Sequence, residues 1–347
     1  MTDVLEGQLQ RDSAVRFNLR ADARLARNMC VVCDCFEAEV FRPRNLTYEL
    51  VRTLENTPIA ANPLLAAFQD LEGQANSPRL ESFDWREHGV SIPYVIFIAG
   101  RCGSTLLTHL LKASGLCGIP DEFFNNSHYY NVFVRAKTFS EYFSGVVRMH
   151  SSHGRFGFQI DPLRFVHLKQ SIDFFNVFPR PTTPLFWMTR RDIVAQAWSF
   201  AKAKITGVWH AHQLGLVTDV ADKRIVTDRD IWREIALILH SEQMMENFFS
   251  EYSLDPCRID YEMLVADRNA TVIRVMQRLD CPVTGVIDFL ARRHEGTERL
   301  IYPDRDAFIA RFIAKFQVEL EEIEIRRKAL DVGKLQKRLA AEFGILP

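Results

Sequence analysis

The chain lacks any apolar run approaching the ~20 residues that a membrane-spanning helix needs. It lacks net charge, with a formal value of −1 at pH 7. No general basic field is therefore available for nucleic acid or an anionic membrane, and any anion site must be local. It also lacks a disulfide framework. Seven cysteines in 347 residues are an odd number, and only Cys30, Cys33 and Cys35 cluster, in "CVVCDC". No second Cys/His pair at zinc spacing accompanies them. Small apolar side chains beside Val31 and Val32 are the plainer reading, and no metal is expected. The opening stretch, "MTDVLEGQLQRD", is polar and acidic and reads as neither signal nor transit peptide. A cytoplasmic protein is the expectation.

What is present is an ordinary globular composition, 47% hydrophobic and 25% charged, with phenylalanine abundant at 26 residues. Aromatic packing should dominate the core. Residues 1–92 read as a mainly helical N-terminal extension of undetermined role. "NLTYELVRTLEN" and "NPLLAAFQDLEG" each begin at a capping Asn, and the second carries Pro63 at its first helical position. "GQANSPRLESFDWREHGVSIP" has the punctuation of a linker.

From residue 93 to the end, short apolar runs alternate with amphipathic stretches. Strands are expected at 94–99, 155–160, 184–189 and 257–261, and helices at 103–115, 192–206, 229–250 and 262–279. That alternation predicts an α/β fold with a parallel central sheet flanked by helices. After Asp304 a long helical pattern places Phe308, Phe312, Ile313, Phe316, Leu320 and Ile323 on one stripe, expected to pack on the body.

"YVIFIAGRCGSTLLTHLLKASG" runs from an apolar strand through a tight turn into a helix. Gly100 and Gly103 let the backbone bend closely. The free N–H groups at the helix start, with Ser104 and Thr105, suit a phosphate or a sulfate. The Gly-Lys-Ser/Thr ending of the usual nucleotide loop is missing, which argues against ATP or GTP hydrolysis. Arg101 is the strong donor in its place. A plain strand-to-helix turn with hydroxyl caps fits this stretch alone equally well.

"WMTRRDIVAQAWSFAKAK" repeats the pattern. Arg191 precedes a helix and Ser199 follows eight residues later, about two turns on. Both reach one anion if Arg191 folds back over the helix. The alternative is that Arg190, Arg191, Lys202 and Lys204 are solvated surface charge. Two anion sites at two strand ends suit a nucleotide phosphorylated at both ends.

Five segments in order resemble the bacterial trehalose 2-sulfotransferase and lipopolysaccharide sulfotransferase family: "GRCGSTLLTHLLKASGLCGIPDEFF", "HGRFGFQI", "RRDIVAQAWSF", "IDYEMLVADRNATVIRVMQRL" and "ERLIYPDRDAFIARF". The resemblance covers roughly residues 94–315. It implies a P-loop-like sulfotransferase fold and 3′-phosphoadenosine 5′-phosphosulfate (PAPS) as sulfuryl donor, with no metal. Arg101, Gly103, Ser104 and Thr105 would cradle the phosphosulfate, with Cys102 contributing backbone. Arg191 and Ser199 would hold the 3′-phosphate. Glu122 matches the family's general base, with Asp121 as the alternative. Two departures stand out: Cys102 replaces a serine, and Gln159 occupies a position often held by lysine, leaving Lys202 and Lys204 as candidate cations.

The implied acceptor is a hydroxyl of a carbohydrate or glycolipid. Trp187, Trp198 and Trp209 offer faces for a sugar ring, and His210 and His212 lie nearby in sequence. The family commonly forms a homodimer, for which helix 192–206 and the tail helix are candidates. Two rival functions remain: a P-loop-type kinase or phosphohydrolase, and a non-catalytic nucleotide-binding relative.

Overall fold

The computed structural model describes residues 79–125, 127–209, 225–284 and 302–328. The expected helices at 45–56 and 62–73, the cysteine cluster and His210 and His212 lie outside the described residues.

Four strands form one parallel sheet: β1 (Ile92–Ile98), β2 (Arg155–Ile160), β3 (Leu185–Thr189) and β4 (Cys257–Asp260). Their spatial order is β2-β1-β3-β4. Each is close to its sequence-predicted range, because central parallel strands are apolar on both faces and read as unbroken hydrophobic runs. The connecting helices are α1 (Ser104–Ser114), α2 (Ser127–Val134), α3 (Phe139–His150), α4 (Pro162–Ser171), α5 (Phe174–Val177), α6 (Ile193–Thr206), α7 (Asp228–Glu251), α8 (Tyr261–Ala266), α9 (Arg268–Arg278), α10 (Arg305–Lys315) and α11 (Gln317–Lys328).

Alternation along the strands builds two cores. Val95, Phe97 and Trp187 point to one face, where they meet Phe165 of α4, Phe174 of α5 and Phe248 and Phe249 of α7. Tyr94, Ile96, Ile98, Phe186 and Met188 point to the other, against Leu107 and Leu111 of α1 and Val272 and Met276 of α9. The abundant phenylalanines fill the first core largely edge to face, as with Phe124 and Phe158 at 4.7 Å and 85°. Residues ahead of β1 also contribute: Trp85 is buried there, and its indole N–H donates to the Val177 carbonyl at 2.5 Å.

Two expected helices are each broken in two. The 262–279 pattern divides at Asp267, which ends α8 and whose carboxylate then accepts from the Ala270 N–H to start α9. The tail divides at Phe316 into α10 and α11. Its stripe packs within the chain as expected: Phe308 and Phe312 are buried against α6 and α7, with Phe316, Leu320 and Ile323 partly covered. Ile313 is the exception and stays exposed. No helix among the described residues is long and apolar enough to cross a membrane.

The register opposes Tyr94 on β1 to Gly157 on β2. Tyr94 is fully buried, and its hydroxyl donates to the Cys117 carbonyl at 2.7 Å. Its ring lies across Gly157, where an added Cβ would sit 2.1 Å from the Tyr94 Cζ. Overpacking of this kind costs roughly 1–3 kcal/mol. Gly157→Ala is therefore expected to lower the unfolding free energy from urea titration by that amount, and an unchanged value would show that the ring yields freely.

Candidate functional site

In a doubly wound sheet, ligands bind beyond the carboxyl ends of the strands where the strand order reverses. With the order β2-β1-β3-β4, that point lies between β1 and β3. The turns that follow these two strands are residues 99–103 and 190–192, the two sequence-predicted anion segments.

The first turn is tightly constrained. Arg101 has φ +62° and Gly103 φ +86°, left-handed values that disfavour side-chain-bearing residues. Gly103 is needed twice over, since a Cβ there would lie 2.4 Å from the Tyr261 ring. Gly100 abuts Phe200 of α6, whose ring would meet an added Cβ at 2.6 Å. Gln196, fully buried on α6, donates its amide to the carbonyls of Gly100 at 2.8 Å and Ala99 at 3.3 Å. Cys102 is also fully buried, and burial pushes its thiol up to about 12. It stays neutral and contributes backbone, not charge. No side chain caps α1; the Leu106 and Leu107 N–H groups turn back to the Gly103 carbonyl at 3.0 and 3.4 Å, which leaves only the earliest N–H groups of the helix for an anion.

Arg101 bridges the two segments. Its Nε donates to Ser199 Oγ at 3.0 Å, and its Nη1 donates to the Trp209 carbonyl at 2.8 Å. Burial lowers its pKa, while the charges of Glu122 and Tyr302 act in the opposite sense. The guanidinium nonetheless remains protonated. Arg101 and Ser199 are thus brought into contact from two separate segments, and the charge of Glu122 is felt by Arg101.

Arg191 stands apart. Its side chain is 70% exposed and faces Asp260 at 3.4 Å and Glu262 at 3.7 Å; it does not fold back toward Ser199. The N-terminus of α6 is also already occupied. Asp192 accepts from the Ala195 N–H at 2.9 Å, while Glu262 accepts from the N–H groups of Arg191 at 3.0 Å and Asp192 at 3.2 Å. Those contacts outweigh desolvation and keep the Glu262 carboxyl below its ordinary range. An anion at this end meets side chains more than backbone.

Sequence reasoning passed over Arg190 as surface charge. Its Nε is buried without a hydrogen-bond partner, and its guanidinium lies 4.5 Å from the centre of the Tyr261 ring. Its positive charge is felt by both Arg101 and Cys102. The available signals were the doubled arginine of "TRRD" and the Tyr261-Glu262 pair directly after β4.

Glu122 is held by its neighbours. The Phe123 and Phe124 rings are buried in the first core, the Tyr142 hydroxyl donates to the Phe123 carbonyl at 2.7 Å, and the Gln159 N–H donates to the Asp121 carbonyl at 3.0 Å. The Asn125 amide donates to Glu122 Oε2 at 2.8 Å. Desolvation raises the Glu122 pKa, with Asp161 and Asp121 adding to the effect; Asn125 and Arg164 only partly offset it. Asp121 spends one carboxylate oxygen on the Glu122 N–H, at 2.8 Å.

Two sequence expectations need correction, the tryptophan faces and the spare lysines. Trp187 is buried and donates to Glu246 Oε1 at 3.0 Å, and Trp198 is buried beside Tyr302; neither offers a face to a sugar. Lys204 is committed to buried Glu234, at 2.8 and 3.1 Å. Lys202 is buried, 4.9 Å from the centre of the Tyr302 ring. Gln159 is buried with its Oε1 unpartnered, and the register sets it beside Ile96 on the face that carries α1.

The α/β sheet thus carries, after β1 and β3, an uncapped strand-to-helix turn and an arginine that joins it to α6. The Stf0 sulphotransferase family model matches residues 93–153 and 159–288, more than half of the chain, and the protein belongs to that family of sulfotransferases. Among solved structures it is similar to sulfotransferase STF9 from Mycobacterium avium, with 12% identity, TM-score 0.40, and coverage of 85% of this chain and 95% of that one. It is also similar to the sulfotransferase domain from the curacin biosynthetic pathway, with 14% identity, TM-score 0.35, and coverage of 65% and 82% respectively. No curated protein matches.

The raised Glu122 pKa carries a stability consequence. The folded state binds that proton more tightly than the unfolded chain, whose glutamate titrates near ~4.3. The penalty is absent below the unfolded value and fully present once pH exceeds the folded one. Glu122→Gln is expected to be more stable than the parent at pH 7 and equal to it near pH 4, read by urea unfolding at both. A deficit at pH 7 would contradict the assigned shift.

Proposed function

We propose that the chain transfers a sulfuryl group from PAPS to a hydroxyl of a carbohydrate or glycolipid acceptor, with Glu122 as general base. The observation that carries this reading is the 3.0 Å contact between Arg101 and Ser199. It joins the two anion segments at the switch point, within the field of the Glu122 carboxylate.

PAPS, when bound, supplies the sulfuryl group and departs as adenosine 3′,5′-bisphosphate. The residues present fit such a ligand. The uncapped start of α1, with Gly103, Ser104 and Thr105, offers N–H and hydroxyl donors to the phosphosulfate end. Ser199, Arg190 and Arg191 offer a hydroxyl and two guanidinia to the 3′-phosphate. The exposed pairs of Arg191 with Asp260 and Glu262 are each worth only ~0–1 kcal/mol. A phosphate dianion can take that guanidinium from them at little cost.

Glu122 takes the acceptor hydroxyl proton onto its carboxylate as the oxygen attacks sulfur. Its burial makes it a stronger base than a solvated carboxylate, provided it is ionised. The acidic limb of kcat/KM is therefore expected above the ordinary glutamate range, because activity falls as Glu122 gains its proton. Arg101, between the two segments, is placed to meet charge developing on the leaving phosphate oxygen.

One observation supports a second reading, in which the nucleotide binds without turnover. Gln159 puts a neutral amide where relatives often carry lysine, and Lys204 is already engaged by Glu234.

Incubation with labelled PAPS and a panel of sugars and glycolipids, read by mass spectrometry, separates the two. Sulfated product supports transfer; tight binding without product supports the second reading. Stabilisation by ATP with Mg²⁺ but not by adenosine 3′,5′-bisphosphate would reject both in favour of a kinase or phosphohydrolase.

Two variants test the roles. Glu122→Gln should keep donor binding and lose ~10²–10⁴ in rate; unchanged turnover removes it as base. Arg191→Ala should weaken the 3′-phosphorylated nucleotide by roughly 10–100-fold, the worth of one charged hydrogen bond, and leave its 3′-dephosphorylated analogue little affected. Titration calorimetry on both nucleotides checks this, and equal weakening would refute the assignment.

A further inference from the structure

The turn between β3 and α6 is gripped from both sides. Glu262 takes its N–H groups. Its carbonyls are taken by Arg327 of α11, 136 residues further along the chain: Nη1 donates to the Arg191 carbonyl at 2.8 Å and Nη2 to the Arg190 carbonyl at 2.7 Å. The same guanidinium pairs side-on with Glu242 of α7, Nε to Oε2 at 2.9 Å and Nη2 to Oε1 at 2.7 Å. Both side chains are well covered, at 14% and 6% exposure.

We infer that Arg327 is a positioning residue for the donor site, a fork that sets the orientation of the Arg190–Arg191 peptides and thereby aims their two guanidinia. This rests on the reading that these arginines meet the 3′-phosphate. The geometry requires arginine. Only a planar fork spans two successive carbonyls while pairing with a carboxylate at its other edge, whereas lysine presents one nitrogen. Glu242 balances the charge and fixes the plane of the fork.

The fork is carried on a helix with its own anchorage. Phe316 lies 5.3 Å from Trp232 edge to face, and Leu320 and Ile323 pack against the same cluster. The helix therefore holds its place through apolar contacts that do not involve Arg327. Substituting Arg327 removes the aim of the turn and leaves the helix seated. Without the fork, these two peptide planes are held only at their N–H edge, by Glu262, and small misplacements of binding groups are costly.

The test is titration calorimetry of the full chain with adenosine 3′,5′-bisphosphate and with adenosine 5′-phosphate, on the parent and on Arg327→Lys. The parent must bind the bisphosphate more tightly; if it does not, the donor reading fails and the inference with it. Given that preference, Arg327→Lys should weaken the bisphosphate about ten-fold, leave the monophosphate unchanged and keep the parent circular dichroism. Unchanged bisphosphate affinity overturns the positioning role. Equal weakening of both nucleotides also overturns it, since loss of scaffold alone would not single out the 3′-phosphate. Should Arg327→Lys not fold, Glu242→Gln carries the same measurement. It keeps one acceptor oxygen but frees the plane of the fork, and an unaltered ratio of the two affinities refutes the inference.

Discussion

One buried amide joins the two halves of the site. Gln196 donates to the carbonyls of Ala99 and Gly100, which are the first peptides beyond the end of β1. The Gly100 carbonyl has left the sheet and Gln196 satisfies it, while the Ala99 carbonyl also accepts from the Cys102 N–H at 3.1 Å. Because the donor sits on α6, satisfying them also fixes the turn after β1 against the helix after β3. Phe200, one helical turn on, closes over Gly100 from the same helix. The strained backbone of Arg101 and its contact with Ser199 both follow from that attachment.

The site is also shaped by where the protein spends its anions. The helices α3, α4, α5, α6, α7, α8 and α9 each start on a threonine or aspartate that accepts from its own backbone. Helix α1 does not. Omitting a cap forgoes ~1 kcal/mol, and at α1 it coincides with a turn that demands glycine at Gly100 and Gly103. The second segment is the reverse. Its backbone donors are taken by Asp192 and Glu262 and its carbonyls by Arg327, so recognition there falls to side chains. The two segments are alike in sequence pattern and different in chemistry.

Much of the fold was legible because its determinants are local. The apolar runs of β1 to β4 mark strands buried on both faces, and the glycines of the first turn mark a bend that other residues resist. The family resemblance named Arg101, Ser199 and Glu122 but paired Ser199 with Arg191, whereas the fold sets Ser199 against Arg101 and turns Arg191 toward Asp260. The breaks at Asp267 and Phe316 were hidden within continuous helical periodicity. Trp187, Trp198 and Lys204 were misjudged because a side chain's type does not reveal whether a partner such as Glu246 or Glu234 awaits it. Arg190 was overlooked for the same reason, since buried and solvated arginines look identical in a string of letters.

By itself the sequence determined the parallel α/β sheet, the placement of two strand-to-helix turns with arginines at the ends of two strands, and the carboxylate beyond the first helix. These depend on patterns within some twenty-five residues of chain. Tertiary structure alone decided which cations are free to meet a ligand. Arg191 faces Glu262, Lys204 faces Glu234, and Arg327 reaches back across 136 residues to the turn it holds. Charge pairing depends on distance in space, and proximity between remote segments is set only when the whole core closes.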